Sequence, residues 1–337
     1  MMIRVGVIGL GDISKVHIPI LKSMKNIQLI AVCDHDKNQW FDDQSIHFYT
    51  DYVKMLDHER LDSVHICLPH YLHQPIAMEC VARGIHIFLE KPMGINLDEA
   101  YALSALEKNN VDIKMNLCLQ NRLNNTSIKM KELIETKKYG NILGIKGIVA
   151  WHRSHEYYTS KPWRGCMEHA GGGVMINQSI HTLDLMQWMV GKIQSIRGNI
   201  SQMLDYNIEV EDTASAHIAF ENGCSGMFYA TNANPYNASV EIEAILEKGR
   251  LVIRDNILYL WDEDGDHILV EDERVEGTKF YYGASHKKLI RLFYEVLEKK
   301  HTNYIPLCEG IVSMQMIDAI IRSSHIGKKS KMEEKNG

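Results

Sequence analysis

The sequence predicts two α/β domains in series: a doubly wound parallel sheet, then an α/β domain built on a large open, mainly antiparallel sheet. Three observations carry this reading. Up to about residue 118, short β-rich runs alternate with helical patterns. From about residue 193, β-rich runs follow one another with no helix between them. The first run ends in a glycine turn that opens a helix. Strands separated by helices pair parallel, whereas strands joined by tight turns pair antiparallel.

In the first region the β-rich runs fall at 3–8, 28–33, 46–49, 63–68, 85–89 and 113–118, with helical patterns clearest at 14–24, 72–83 and 97–108. Right-handed crossovers between such strands place a ligand at their carboxyl ends. After residue 122 the pattern predicts a helix at 126–138, a strand at 142–150 and a helix from 174 to 189. Strands follow at 193–203, 212–220, 224–232, 238–246, 250–254 and 257–262. Glu221-Asn222-Gly223 and Glu247-Lys248-Gly249 read as hairpin turns. Amphipathic helices near 285–299 and 309–325 close the chain. The expected division is 1–122, 123–326 and a polar tail, 327–337, with the two domains packed around a cleft.

The chain has 337 residues, enough to bury its core without disulfides or metal. Its formal charge is −6 and no basic run is long enough to track a phosphate backbone, which disfavours nucleic acid as a partner. The seven cysteines lack any C-x-x-C spacing, so the pattern argues against zinc and for a reducing, cytoplasmic setting. No apolar run is long enough for a membrane span, and the N-terminus lacks a signal-peptide core.

The first strand runs into Gly9-Leu10-Gly11-Asp12-Ile13-Ser14. Gly9 and Gly11 let the backbone turn sharply and approach a pyrophosphate, with Asp12 and Ile13 leading into the helix whose amides face it. Ser14 stands at the third fingerprint position and is small enough for close helix–strand packing. Asp34 lies 23 residues after Gly11 at the end of the second strand. There it binds a ribose 2′-hydroxyl and repels a 2′-phosphate, or is an ordinary solvated acid. NAD is therefore the expected cofactor, with NADP possible because His35 and Lys37 follow. Leu68 and Pro69 end the fourth strand. His73 either reaches the cofactor or packs a helix start.

Gly9-x-Gly11, Asp34, Pro69-x-x-x-His73 and Glu90-Lys91-Pro92, with Gly171-Gly172-Gly173, Asn177, His181 and Asp184, together resemble the glucose–fructose oxidoreductase/inositol dehydrogenase (Gfo/Idh/MocA) family. The resemblance runs to about residue 326, and Glu-Lys-Pro after the fifth strand is its most specific mark. It implies an N-terminal Rossmann domain, a C-terminal α/β domain with an open sheet, a nicotinamide cofactor and a sugar or cyclic polyol substrate. It implies a cis Lys-Pro bond. It also implies a substrate-hydroxyl contact at Asp184, and places Asn121 and Arg122 in the cleft near the nicotinamide. Arg122 reads equally as a salt-bridge residue. Two positions depart from the family's habit: Asn177 stands where Asp is frequent, and His70 where Asn is frequent.

Asn177, His181, Asp184 and Trp188 are spaced to share one helix face. Oxidising an alcohol needs a base for the hydroxyl proton and benefits from a cation beside the developing alkoxide. His181 and Lys91 are the candidates for these roles, and Asn177 for orientation of the substrate or of Lys91. Glu90 belongs to the cofactor side. The glycine triplet is expected to let the backbone approach substrate or nicotinamide, and Trp188 reads as core packing.

Trp151 to Arg164 is dense in aromatics and donors. Aromatic faces stack on sugars and arginine forks bind carboxylate or phosphate, so Tyr157, Trp163 and Arg164 are candidate substrate contacts, with Arg153 added for an anionic substrate. The same segment also reads as a solvated connection. Tyr281-Tyr282-Gly283 with His286 is a weaker candidate patch. The expected function is an NAD-dependent dehydrogenase of a sugar or polyol. The competing readings are an NAD-dependent glycoside hydrolase with transient oxidation, and a non-catalytic NAD or sugar sensor. The apolar second sheet predicts a homodimer or homotetramer.

Overall fold

Strand β1 (Ile3–Ile8) is apolar at nearly every position because helices cover both faces of its sheet; Val5 and Val7 are fully buried. In the computed structural model, which describes residues 2–39, 43–273 and 285–326, β1 leads through the glycine turn to α1 (Ser14–Ser23) and β2 (Ile27–Cys33). Next come β3 (His47–Tyr49), α2 (Tyr52–His58), β4 (Ser63–Ile66), α3 (His73–Ala82), β5 (His86–Leu89), α4 (Leu97–Asn109) and β6 (Met115–Leu117). These strands form a wholly parallel six-stranded sheet in the order β3-β2-β1-β4-β5-β6, the doubly wound arrangement whose crevice lies at the carboxyl ends of β1 and β4. Helix α2 is absent from the sequence expectation. It spans seven residues, too short for a periodic signal, and Asp51 starts it by accepting from the amides of Val53 and Lys54.

Helix α5 (Asn125–Glu135) and β7 (Ile142–Ala150) begin the second domain, followed by short helices α6 (His155–Thr159) and α7 (Met167–Ala170) and the longer α8 (Ile180–Val190). Strands β8 (Ile193–Ser201), β9 (Thr213–Phe220), β10 (Ser225–Thr231), β11 (Glu241–Leu246), β12 (Gly249–Arg254), β13 (Ile257–Asp262) and β14 (Gly265–Glu271) complete an eight-stranded sheet with β7. Every pairing in it is antiparallel except β7 with β10. The sequence did not mark β14, an edge strand whose residues are mostly exposed and so lack a clear alternation. The turn between β12 and β13 is Asp255-Asn256 with φ of 54° and 61°, the two-residue type I′ geometry that matches strand twist.

Alternation along β9 and β10 turns Ala214, Ala216, Ile218, Phe228 and Ala230 inward and Ser215, His217, Met227 and Tyr229 outward. The inward face is covered by α8 and by α10 (Ile311–Ile326). Helix α9 (Ser285–Leu297) instead returns to the first domain, where the Tyr294 hydroxyl meets His65 Nε2 at 2.8 Å. The amide of Leu117 donates to Ile305 at 2.8 Å, so the chain's last third also borders the parallel sheet. No helix among the described residues is long and apolar enough to cross a membrane. Tyr281-Tyr282-Gly283 and the polar tail 327–337 lie outside the described residues.

One buried ion pair ties the domains together. Arg122, in the 3₁₀ turn Gln120–Leu123, donates from Nε to Asp184 Oδ2 at 2.8 Å and from Nη2 to Asp184 Oδ1 at 2.6 Å. Its Nη1 reaches Glu309 at 2.8 Å. A two-pronged pair of this kind fixes direction as well as distance. Asp184→Ala would leave the buried guanidinium with Glu309 alone, so urea unfolding should show a loss of about 3–5 kcal/mol, with Asp184→Asn losing less. A loss under about 1 kcal/mol would show that the strut contributes little.

Candidate active site

The glycine turn begins at Gly9, whose φ of +93° and packing against Cys67 exclude a side chain: a Cβ there would lie 2.4 Å from the Cys67 carbonyl oxygen. Asp34 fixes the turn, accepting from the Leu10 amide at 2.7 Å and from the Asp36 amide at 2.9 Å. Ser14 is buried and donates to the Gly11 carbonyl at 2.7 Å, a bond glycine would not make. At Gly11 an added Cβ would meet nothing within 4 Å, so this side of the turn is open. Ile13 precedes the first turn of α1. An open turn, a helix start and a fixed carboxylate at the next strand end fit a dinucleotide's pyrophosphate and ribose.

Two further loops enclose this crevice. After β4, Leu68 and Pro69 lead to His73, which is buried between the Leu68 carbonyl at 2.9 Å and the Pro92 carbonyl at 2.6 Å. His73 thus joins the β4 and β5 loops, and both its ring nitrogens face protein. After β5 stands Glu90-Lys91-Pro92, with the Lys91-Pro92 bond cis. Glu90 is buried and accepts from His17 Nε2 at 3.0 Å. Burial alone would raise its pKa; the His17 hydrogen bond and charge outweigh that and hold it well below the carboxylate range. Burial likewise opposes charge on His17, but Cys67 and Glu90 push it up to about 10. His65, next in line at 2.8 Å from His17 Nδ1, is held neutral by burial and by the charge on His17. Glu90, His17, Cys118 and His286 bring ligand-type atoms within 4.8 Å of one another. Cysteine spacing gave no sign of this convergence, because the four residues come from different elements.

From this base Lys91 reaches across the domain boundary, and its Nζ donates to the main-chain carbonyl of Asn177 at 2.8 Å. The sequence predicts one helix from 174 to 189. The structure has two pieces: a π turn, Val174–Gln178, and α8, separated at Ser179. The amide and hydroxyl of Ser179 both donate to the Val174 carbonyl at 2.9 Å, which widens the turn. Asn177 is therefore off the regular face that carries His181 and Asp184, and its Nδ2 donates to the Tyr157 hydroxyl at 3.2 Å. Glu211, unmarked in the sequence, holds the turn from below. Its carboxylate accepts from Gly173 at 2.8 Å and Met175 at 3.0 Å, and its carbonyl from Val174 at 2.9 Å. The glycine triplet is small for protein packing: a Cβ on Gly171 would sit 2.1 Å from the Ile95 carbonyl oxygen, and one on Gly173 1.8 Å from that of Glu211.

His181 is buried, and burial followed by the charge of Lys91 pushes its pKa down to about 3. It is a neutral imidazole at physiological pH. The Cys118 thiol donates to Gln120 Oε1 at 3.4 Å, which aims the Gln120 amide nitrogen at His181 Nε2, also at 3.4 Å. With Nε2 turned to Gln120, Nδ1 is left buried without a partner, as is Oδ1 of Asn121. Buried polar atoms without partners are uncommon, and His181 Nδ1 is one of them.

Arg122 and Asp184 come together as the strut described above and use their charges on each other. Trp188 packs against the core, with Arg122 and Lys131 against its ring. The segment 151–170 closes over the crevice from the second domain. Trp163 packs edge-on against His70 at 4.9 Å, and His70 meets the Ala170 carbonyl at 2.8 Å. Lys161 and Arg164 both reach Asp12 Oδ2, at 2.9 and 3.2 Å. The Tyr157 hydroxyl accepts from Asn177 and from Gln178, the latter at 2.8 Å.

Comparison with known proteins agrees with this architecture. The chain is 24% identical over 276 residues to myo-inositol 2-dehydrogenase of Thermotoga maritima, covering 78% of this chain and 79% of that one. It is 25% identical over 260 residues to scyllo-inositol 2-dehydrogenase (NAD(+)) of Bacillus subtilis, covering 74% and 73%. The WlbA dehydrogenase of Bordetella pertussis, solved with NADH and UDP-GlcNAcA, superposes with a TM-score of 0.81 at 26% identity over 96% of this chain and 97% of that one. Residues 3–116 match the oxidoreductase family with an NAD-binding Rossmann fold, and residues 127–252 match the GFO/IDH/MocA C-terminal domain. The chain therefore belongs to the Gfo/Idh/MocA family of NAD-binding oxidoreductases.

Proposed function

We propose that this protein is an NAD-dependent dehydrogenase acting on a secondary hydroxyl of a sugar, sugar derivative or cyclic polyol, with Lys91 and His181 handling the hydroxyl proton. The observation that carries the reading is the pairing of an anchored cation with unspent polar atoms. Lys91 is fixed on the Asn177 carbonyl close enough for its charge to act on His181, and His181 Nδ1 and Asn121 Oδ1 are buried without partners. The named activities of the inositol dehydrogenases among its relatives agree with such a substrate.

When bound, a nicotinamide cofactor would supply the hydride acceptor. Gly9, Gly11, Asp12 and Ile13 would hold the pyrophosphate side, Asp34 the ribose, and Leu68, Pro69, Glu90 and Asn121 the nicotinamide side. His73 acts by clamping the two loops. Burial, reinforced by the charge of Lys91, keeps His181 neutral, so the imidazole can enter the reaction without first losing a proton. As hydride leaves carbon, the Lys91–His181 pair takes up the hydroxyl proton. Negative charge developing on the oxygen offsets the repulsion that resists a second proton on the pair. In the reverse direction, the proton that the pair took up returns to the carbonyl oxygen.

His181→Ala and Lys91→Ala should each lower kcat by about 10²–10⁴-fold in an NADH-absorbance assay, and the double variant should lose little more than the worse single one. Near-wild-type turnover in either single variant contradicts the pairing.

The free thiols of all seven cysteines fit a cytoplasmic enzyme. The outward face of the second sheet exposes Met227 and Tyr229, with Ile245 and Leu143 nearby, and we infer that it forms a homodimer or homotetramer interface. Light scattering should report a mass of two or four chains; a single-chain mass at micromolar concentration would contradict this.

A further inference from the structure

The cleft holds cationic groups that hydride transfer does not need. Arg153 lies with its guanidinium carbon 4.9 Å from the Trp151 ring centre and 5.3 Å from that of Tyr157. Its hydrogen bonds go to neutral oxygens, the His152 carbonyl at 2.7 Å and Asn237 Oδ1 at 2.9 Å. Among the described residues no carboxylate pairs with it. Arg164 packs on the same tyrosine, 4.1 Å from the ring centre, and shares Asp12 with Lys161. One guanidinium and one ammonium thus share one carboxylate, and Arg153 has none among the described residues. Tyr157 links them to the chemistry: its hydroxyl accepts from Asn177 and Gln178, and the Asn177 carbonyl holds Lys91. Because that hydroxyl oxygen only accepts in these bonds, its own hydrogen remains available for a ligand oxygen.

Arg153 is half-buried, held flat by two aromatic rings and bonded only to neutral oxygens, so its charge is positioned yet open to an anionic ligand. We infer that Arg153, with Arg164 and the Tyr157 hydroxyl, forms an oxyanion subsite, and that the substrate is a sugar bearing a carboxylate or phosphate group. This rests on the dehydrogenase reading and narrows its substrate class. The planar fork of Arg153 matches two oxygens of either group, and its stacking on Trp151 and Tyr157 fixes the fork's plane. The anion would be bound at the carboxyl ends of β7 and β10, leaving a ring hydroxyl to reach Lys91 and His181.

The test is calorimetric titration of the NADH-loaded protein with matched sugars: glucose, glucuronate and glucose 6-phosphate, and galactose, galacturonate and galactose 6-phosphate. At least one anionic sugar should bind ten-fold or more tightly than its neutral counterpart. Arg153→Gln should bring that ratio close to one, and Arg153→Lys should restore part of it. Tighter binding of the acid assigns a carboxylate and tighter binding of the phosphate ester assigns a phosphate. Equal affinity of neutral and anionic members, or an anionic preference untouched by Arg153→Gln, overturns the subsite. If NADH itself fails to bind, the cofactor reading falls, and titration of the same sugars into the NADH-free protein still decides the subsite because binding is read without turnover.

Discussion

The architecture depends on one contact across the domain boundary: the Lys91 ammonium held at 2.8 Å by the Asn177 carbonyl. Lys91 comes from the end of a parallel strand in the first domain, and Asn177 from a π turn in the second. Neither domain alone places a cation beside His181. Because the acceptor is a backbone carbonyl, the contact depends on the shape of the turn rather than on the side chain at 177. That explains how asparagine can stand where the family often has aspartate.

The surrounding structure holds the two ends of that contact still. On the first-domain side, Glu90 is locked by the His17–His65–Tyr294 chain, and His73 bridges the loops that flank Lys91. On the second-domain side, Glu211 gathers the three amides at 173–175, and Ser179 widens the turn. The Arg122–Asp184 strut fixes α8 to the end of the first domain one helical turn from His181. These groups carry much of the buried charge in the molecule, and each serves to position a loop.

What was legible in the sequence is what local chemistry dictates. A glycine turn between strand and helix, an aspartate at the end of the next strand, and Glu-Lys-Pro at a strand end each show their reason within a few residues. The spacing of His181 and Asp184 put both on α8, since an uninterrupted helix keeps its period. Asn177 escaped that rule because Glu211, more than thirty residues later, and the Ser179 hydroxyl reshape the turn before the helix. Gln120, which meets His181 Nε2, and the His17–Glu90–Cys118–His286 cluster were hidden for the same reason: their partners are distant in sequence. Arg122 and Asp184 were visible as charged residues near the cleft, but only the fold shows that they face each other. Helix α2 and strand β14 were missed for lack of a signal, one too short and the other too exposed.

The central claim is that burial and the charge of Lys91 together keep His181 neutral and ready beside the reacting oxygen. Nitrogen-15 NMR of histidine-labelled protein tests it directly, comparing wild type with Lys91→Met across pH 5 to 8. The account predicts that the His181 ring stays neutral throughout in the wild type and that its pKa rises in the variant, because a positive neighbour has been removed. A wild-type His181 that titrates near its ordinary value of about 6.5, unchanged by Lys91→Met, would contradict it.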